Sequence, residues 1–181
     1  ALHLATFITG QQVQHLAADF QNFVKGRMLE DNAHVLLRFE KGASGYLWAS
    51  GVAVGHRHGL AIRVYGSKAG ISWHQERPNQ LHYSPLGETP RIMELDSPEL
   101  NNSAKRLLRV MAGHPEGYFE AFSNIYSDFA QVLKARLSGN NQDATNAIYP
   151  TLEDGANGVK FIEACLESAQ NKGCWVSSEL Y

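Results

Sequence analysis

The feature that most constrains the fold is a change of hydrophobic period along the chain. Up to Leu95, apolar residues occur in short, roughly alternating runs between turn-forming residues, which is typical of β-strands. Beyond it, they recur every three or four residues in two long segments, which indicates helices. Strands followed by helices predict an α+β fold. We expect an open, mainly antiparallel β-sheet with long helices packed on one face.

The strand-forming part is predicted to contain six or seven strands joined by short turns, which force neighbouring strands to run antiparallel. The "GSKAG" segment resembles a phosphate-binding loop only superficially, and a hairpin turn explains it. The strands are expected in residues 11–23, in both halves of 33–53 and of 59–75, in 79–85 and in 90–95, with a further short extended segment at 174–180.

Residues 1–9 have apolar side chains at helical spacing, and Gly10 supplies a stop. The sequence gives this helix no polar lead-in, so we expect that its start has been cut away. Residues 96–114 are loop-like, with at most one helical turn.

Two long helices are predicted in the last third of the chain. Pro115 suits the first position of one, and Gly139 ends it. Thr151 and Asp154 form a capping box for the other, and Gly173 ends it. The expected buried stripes are Phe119, Phe122, Tyr126, Phe129, Leu133 and Leu137 in the first helix, and Ala156, Val159, Ile162, Leu166 and Ala169 in the second.

Composition narrows the function classes. The chain has 181 residues, 44% hydrophobic and 19% charged, with a formal net charge of −2. This balance favours neither nucleic acid nor an anionic membrane as a partner, and no run is long enough to span a membrane. Cys165 and Cys174 are expected to be free thiols in a reducing cytoplasm. The "GHRHG" pair, His56 and His58, is weak as a ligand set, so no metal site is predicted.

Three stretches together carry a family resemblance. The segments "GLAIRVYGSKAGISWHQERPNQL", "GHPEGYFEAFSNIYSDFA" and "YPTLEDGANGVKFIEA", followed by "GCWV", resemble the C-terminal domain of the Gfo/Idh/MocA oxidoreductases. This family includes glucose–fructose oxidoreductase and inositol dehydrogenase. The subgroup resembled acts on sugars, anhydrosugars or cyclic polyols, with NAD or NADP as cofactor.

The resemblance implies that the chemistry lies elsewhere. Members of the family begin with a Rossmann domain that carries a catalytic Lys in a Glu-Lys-Pro motif. An Asp-x-Gly-x-His segment then leads into a helix similar to "ALHLATFITG". None of these motifs, and no G-x-G-x-x-G, occurs here. We therefore expect residues 1–181 to be a single substrate-binding and oligomerisation domain, inactive alone, with its catalytic and cofactor-binding residues upstream of Ala1.

Two histidines are the candidate substrate-binding residues. By the resemblance, His3 lies one helical turn after the catalytic His, where it lines the substrate cleft or is simply a hydrogen-bonded helix residue. His114 begins "HPEG" at a predicted helix N-terminus, whose free N–H groups suit a hydroxyl-rich substrate. The alternative is that His114 only caps this helix. Glu116 is expected to serve the helix dipole.

A further expectation concerns self-association, and two alternative functions compete with the dehydrogenase. Tyr46, Trp48, Val64 and Trp73 cannot all face the helices, so the free face of the sheet is predicted to mediate self-association. The competing hypothesis is a stand-alone binding or oligomerisation module without enzymatic activity. A small hydrolase is disfavoured because no G-x-S-x-G or metal-ligand spacing is present.

Overall fold

The computed structural model of the chain describes residues 1–139 and 147–178. Residues 179 and 180 of the predicted final extended segment lie outside this range. The elements in chain order are α1 (Leu2–Thr9), β1 (Val13–Gln21), β2 (Asn32–Phe39), β3 (Ser44–Ser50), β4 (Ala61–Tyr65), β5 (Ala69–His74), β6 (Leu81–Pro85), β7 (Arg91–Met93), α2 (Asn102–Lys105), α3 (Tyr118–Leu137), α4 (Leu152–Gln170) and β8 (Val176–Ser177).

The strands form two four-stranded antiparallel sheets, each in its own compact unit. The first unit contains residues 1–58 and 151–178, and its sheet has the order β3-β2-β1-β8. The second unit lies within residues 59–150, and its sheet has the order β4-β5-β6-β7. The α+β class and the antiparallel pairing are confirmed. The sequence pattern did not reveal that the strands are divided between two sheets.

The core of the first unit lies between its sheet and α4. Alternate residues of β1 and β2 face the helix, as the pairs Leu16–Leu37 and Ala18–Val35 illustrate. Leu16 is completely buried. This core consists of Val13, Leu16, Ala18, Val35, Leu37 and Phe39 of the sheet together with Phe161, Ala164 and Cys165 of α4.

The predicted buried stripe of α4 is wrong. Val159, Ile162 and Leu166 are exposed, whereas Phe161, Ala164, Cys165 and Ser168 are buried. Both sets have helical spacing, so periodicity alone does not choose between them. The buried set has three small side chains, which let the helix approach the sheet closely.

The predicted burial of the α3 stripe is also wrong. All six of its residues are exposed, and the buried residues of α3 are Asp128 and Ala135. Helical spacing establishes that one face is apolar, but it does not specify what covers that face.

Several local predictions are confirmed. Gly10 ends α1 in a left-handed conformation, with φ of 62°, and donates its N–H to Thr6. Thr151 and Asp154 form the expected capping box. Residues 96–114 contain the single helical turn α2. None of the helices in the described ranges is long and apolar enough to cross a membrane.

Candidate functional site

His3 lies on α1 in the first unit, close to the start of α4. Its side chain is 51% exposed, and its Nε2 atom is 3.9 Å from Oδ1 of Asp154. The ring also stacks against Phe7, with centroids 6.3 Å apart. Both contacts restrict the imidazole without burying it, so the ring is able to bind a ligand from solution.

Asp154 is held in a fixed orientation by the capping box. Its Oδ2 atom accepts the backbone N–H of Thr151 at 2.7 Å and the hydroxyl of the same residue at 2.8 Å. These two hydrogen bonds, the backbone one most of all, hold the pKa of Asp154 below its ordinary value. Burial acts in the opposite direction, and the nearby His3 lowers the pKa slightly further. A fixed, ionised carboxylate therefore lies beside His3.

A cavity of about 290 Å³ lies in the same unit. Carboxylates and amides predominate among its lining residues, which also include the apolar Leu2, Val13 and Phe161. Such walls suit hydrogen bonding to hydroxyl groups. The lining residues are Leu2, Gln12, Val13, Gln14, Glu40, Glu153, Asn157, Phe161 and Ser178. Sequence reasoning missed these polar residues, because they are scattered over a strand start, a turn and a helix and share no motif.

His114 lies in the second unit, in an exposed turn before α3. Its backbone N–H donates to the carbonyl of Met111 at 3.2 Å, and its Nδ1 atom is 3.2 Å from the same oxygen. When Nδ1 carries the proton and donates to this carbonyl, Nε2 is left as an acceptor. The turn thereby presents an imidazole nitrogen that is able to bind a hydroxyl.

The predicted start of α3 is wrong by three residues. The helix begins at Tyr118, so Pro115 is not its first residue. His114 does not cap it either, because the carboxylate of Glu120 accepts the N–H of Gly117 at 2.9 Å. This bond is the largest cause of the lowered pKa of Glu120. The proposed alternative role of His114 as a helix cap therefore finds no support.

Glu116 does not serve the helix dipole as expected. It precedes the helix, and its carboxylate accepts the backbone N–H groups of Arg109 at 2.8 Å and Val110 at 3.4 Å. The carbonyl of Glu116 accepts from the side chain of Asn79 at 2.9 Å. Glu116 thus joins the two ends of the segment that carries His114.

A partly buried ion pair holds the chain just before this segment. Arg106 donates two hydrogen bonds to Asp128 of α3, at 2.9 and 3.0 Å, and Asp128 also accepts the N–H of Ile148 at 2.6 Å. The guanidinium of Arg106 is the main reason that the pKa of Asp128 lies below its ordinary value. Asp128 is 2% exposed, and its bonds to Arg106 and Ile148 tie the segments on which these two residues lie to α3.

The remaining candidates do not form a reactive centre. His56 and His58 are exposed in the segment between β3 and β4. Within residues 1–139 and 147–178, no three His, Cys, Asp or Glu side chains are grouped to hold a metal ion. Both cysteines are free, and burial raises the pKa of the Cys165 thiol to about 12. Cys165 is therefore a core residue and not a nucleophile.

These observations define a class: an α+β domain with two antiparallel sheets, partly exposed histidines and a cavity lined mainly by polar side chains. Residues 2–177 match the oxidoreductase family, C-terminal alpha/beta domain. The chain belongs to this family, the Gfo/Idh/MocA oxidoreductases, as the sequence motifs indicated.

Known proteins support this assignment. An uncharacterized oxidoreductase of Bacillus subtilis, YfiI, is 38% identical over 91% of this chain and 42% of its own length. An oxidoreductase structure from Sinorhizobium meliloti is 43% identical, covers 96% of this chain and 49% of its own, and has a TM-score of 0.90. An inositol dehydrogenase homologue from Azotobacter vinelandii, solved with NADH and myo-inositol, is 39% identical, with a TM-score of 0.91 and coverages of 97% and 47%. The chain spans about half the length of these relatives.

Proposed function

We propose that this chain is the substrate-binding and dimerisation domain of an NAD(P)-dependent dehydrogenase acting on a sugar, an anhydrosugar or a cyclic polyol. The observation that carries the proposal is the 39% identity, over 97% of the chain, to the Azotobacter vinelandii homologue solved with NADH and myo-inositol. The whole protein would then act on a small molecule in the cytoplasm.

The chain itself does not fit a dinucleotide. The sequence contains no G-x-G-x-x-G. The cavity of the first unit has the carboxylates Glu40 and Glu153 in its walls, which would repel a pyrophosphate. We therefore assign the cofactor, which accepts a hydride when bound, to a separate nucleotide-binding domain of the whole protein.

The contribution of this chain is to bind and orient the substrate. His3 and Asp154 offer a donor and an acceptor side by side in the first unit. His114 offers an imidazole nitrogen in the second. Because sugars and cyclic polyols present rows of hydroxyl groups that both donate and accept, either histidine suits them in its neutral form.

The test is a dehydrogenase assay of the full-length protein. We expect reduction of NAD or NADP, followed by absorbance at 340 nm, with at least one substrate from a panel of cyclic polyols, sugars and anhydrosugars. In calorimetric titration, the isolated 181-residue chain should give no saturable heat with either cofactor. A full-length protein that turns over no member of the panel would refute the proposed substrate class.

The coding sequence upstream of Ala1 separates this proposal from a stand-alone binding or oligomerisation module. A strand followed by G-x-G-x-x-G, and a Glu-Lys-Pro further on, would support the dehydrogenase. An upstream sequence without these motifs would support the module.

A further inference from the structure

Most of the segment from Leu107 to Glu116 is exposed, and the segment is heavily hydrogen-bonded. It has no apolar core of its own, and Met111 at its tip is 76% exposed. Exposed segments without a core are usually mobile, because little offsets the conformational entropy of ordering them. This segment is instead held at several points, so its conformation is specified in detail.

Polar side chains of α3 hold the first part of the segment. Asn124 donates to the carbonyl of Leu107 at 2.7 Å and accepts from Nε of Arg109 at 2.6 Å. Ser127, one turn further along the helix, accepts from the Arg109 guanidinium at 3.1 Å. These contacts fix one end of the segment to the helix.

Glu116 closes the other end. Its two carboxylate oxygens accept the N–H groups of Arg109 and Val110, which brings residues 109 and 116 together and makes a closed loop of the residues between them. His114 lies inside this loop and is bonded only to Met111, another member of the loop, among the contacts described. The position of the His114 ring therefore depends on loop closure by Glu116.

We propose that Glu116 is a positioning residue that holds His114 in its substrate-binding orientation. This inference rests on the proposed function, in which His114 binds a substrate hydroxyl. Glu116 itself makes no contact with the substrate. It acts by keeping the loop in one conformation, and an opened loop would bind substrate less tightly in proportion to the population of the closed form.

A double-mutant cycle in the full-length enzyme tests this. His114→Ala should lower kcat/KM for the polyol about 10- to 100-fold, and Glu116→Ala should lower it about 10-fold, mainly through KM. When His114 is already alanine, adding Glu116→Ala should lower kcat/KM by less than about twofold, because Glu116 acts through the ring that has been removed. Glu116→Gln retains one acceptor oxygen and should restore most of the activity.

Hydrogen exchange supplies a readout that is independent of turnover. The amides of Arg109 and Val110 should exchange faster in Glu116→Ala than in the parent enzyme. Glu88→Ala is the matched control, because Glu88 is an exposed carboxylate in the same unit whose partner is Arg91 at 3.9 Å. This control should change neither exchange nor kinetics.

The outcomes are distinguishable. Equal losses from Glu116→Ala in both backgrounds would show a general structural role and would overturn the inference. Unchanged kcat/KM in His114→Ala would overturn it as well, because the ring would then have no role to be positioned for. An inactive parent enzyme would instead refute the proposed function.

Discussion

Three buried or partly buried carboxylates share one kind of environment. Asp31 accepts the N–H groups of Phe23 and Val24, each at 2.9 Å, and Asp154 and Asp128 are held by Thr151 and Arg106 as described. In each case hydrogen bonds to the charged form lower the pKa of the carboxyl group in the folded state. Asp31 and Asp128 each connect two or more segments of the chain, whereas Asp154 caps the start of its own helix.

The lowered pKa values predict acid sensitivity. A carboxyl group whose folded pKa lies below its unfolded value stabilises the protein above the unfolded pKa, and this contribution is lost as pH falls through the folded pKa. The ordinary value for Asp is 3.8. The free energy of unfolding should therefore change little between pH 7 and 5 through these groups, and decline as pH falls below about 4.

Asp128→Asn is the variant that tests this, measured by denaturant unfolding at several pH values. It should lower the free energy of unfolding at pH 7 by about 2 kcal/mol, since Arg106 loses a charged partner but remains partly exposed to solvent. Its acid decline should be shallower than that of the parent protein. Asp96→Asn, at an exposed position of the same unit, should change neither quantity. A parallel acid decline in Asp128→Asn would contradict the assignment.

Element types and most boundaries followed from local chemistry, but the start of α3 and the buried faces of the helices did not. Strand runs, hairpin turns, the Gly10 stop and the capping box of α4 depend on neighbouring residues and were predictable from the sequence. The buried face of α4 depends on which apolar stripe fits the sheet, and Ala164 and Cys165 fit more closely than Ile162. The start of α3 was missed because the side chain of Glu120 caps the backbone N–H of Gly117, so that the helix begins at Tyr118 and not at Pro115.

Two neighbouring residues of α4 test which face is buried. Phe161 is 8% exposed and Ile162 is 60% exposed. Phe161→Ala should lower the free energy of unfolding by about 3–5 kcal/mol, because it leaves a cavity in the core. Ile162→Ala should cost less than about 1 kcal/mol. Thermal or denaturant unfolding measures the free energy of unfolding of both variants. Similar losses in the two would mean that both faces of α4 are buried.

At the scale of the whole molecule, the first unit leaves one face of its sheet uncovered. This face lies opposite α4 and carries Leu36, Tyr46 and Trp48, which are 54%, 75% and 51% exposed. Arg38 stacks over Trp175 on the same face. The sequence predicted an exposed face with Tyr46 and Trp48, but it wrongly joined them with Val64 and Trp73, which lie in the second sheet. It could not predict the cavity or the closed loop either, because their residues meet only through tertiary structure.

We predict that this face mediates self-association of the protein. A self-complementary interface of ordinary size buries about 1,600 Å² in total, and apolar aromatics at its centre contribute most of the affinity. Trp48→Asp should shift the protein from dimer to monomer in light scattering or sedimentation. Ile162→Asp, on the exposed face of α4, should leave the oligomeric state unchanged. A parent protein that is monomeric at high micromolar concentration would refute the prediction.

The first unit is assembled from both ends of the chain, which has a consequence for the order of folding. β1 pairs with β8, and the hydroxyl of Ser168 accepts the N–H of Ala18 across 150 positions of sequence. The second unit is continuous in sequence, and its four strands are complete by Met93. During synthesis, the second sheet can therefore form while the first still lacks α4 and β8. The first unit has to keep β1 and β2 available until α4 and β8 have been synthesised, so we expect it to complete its folding after the second sheet.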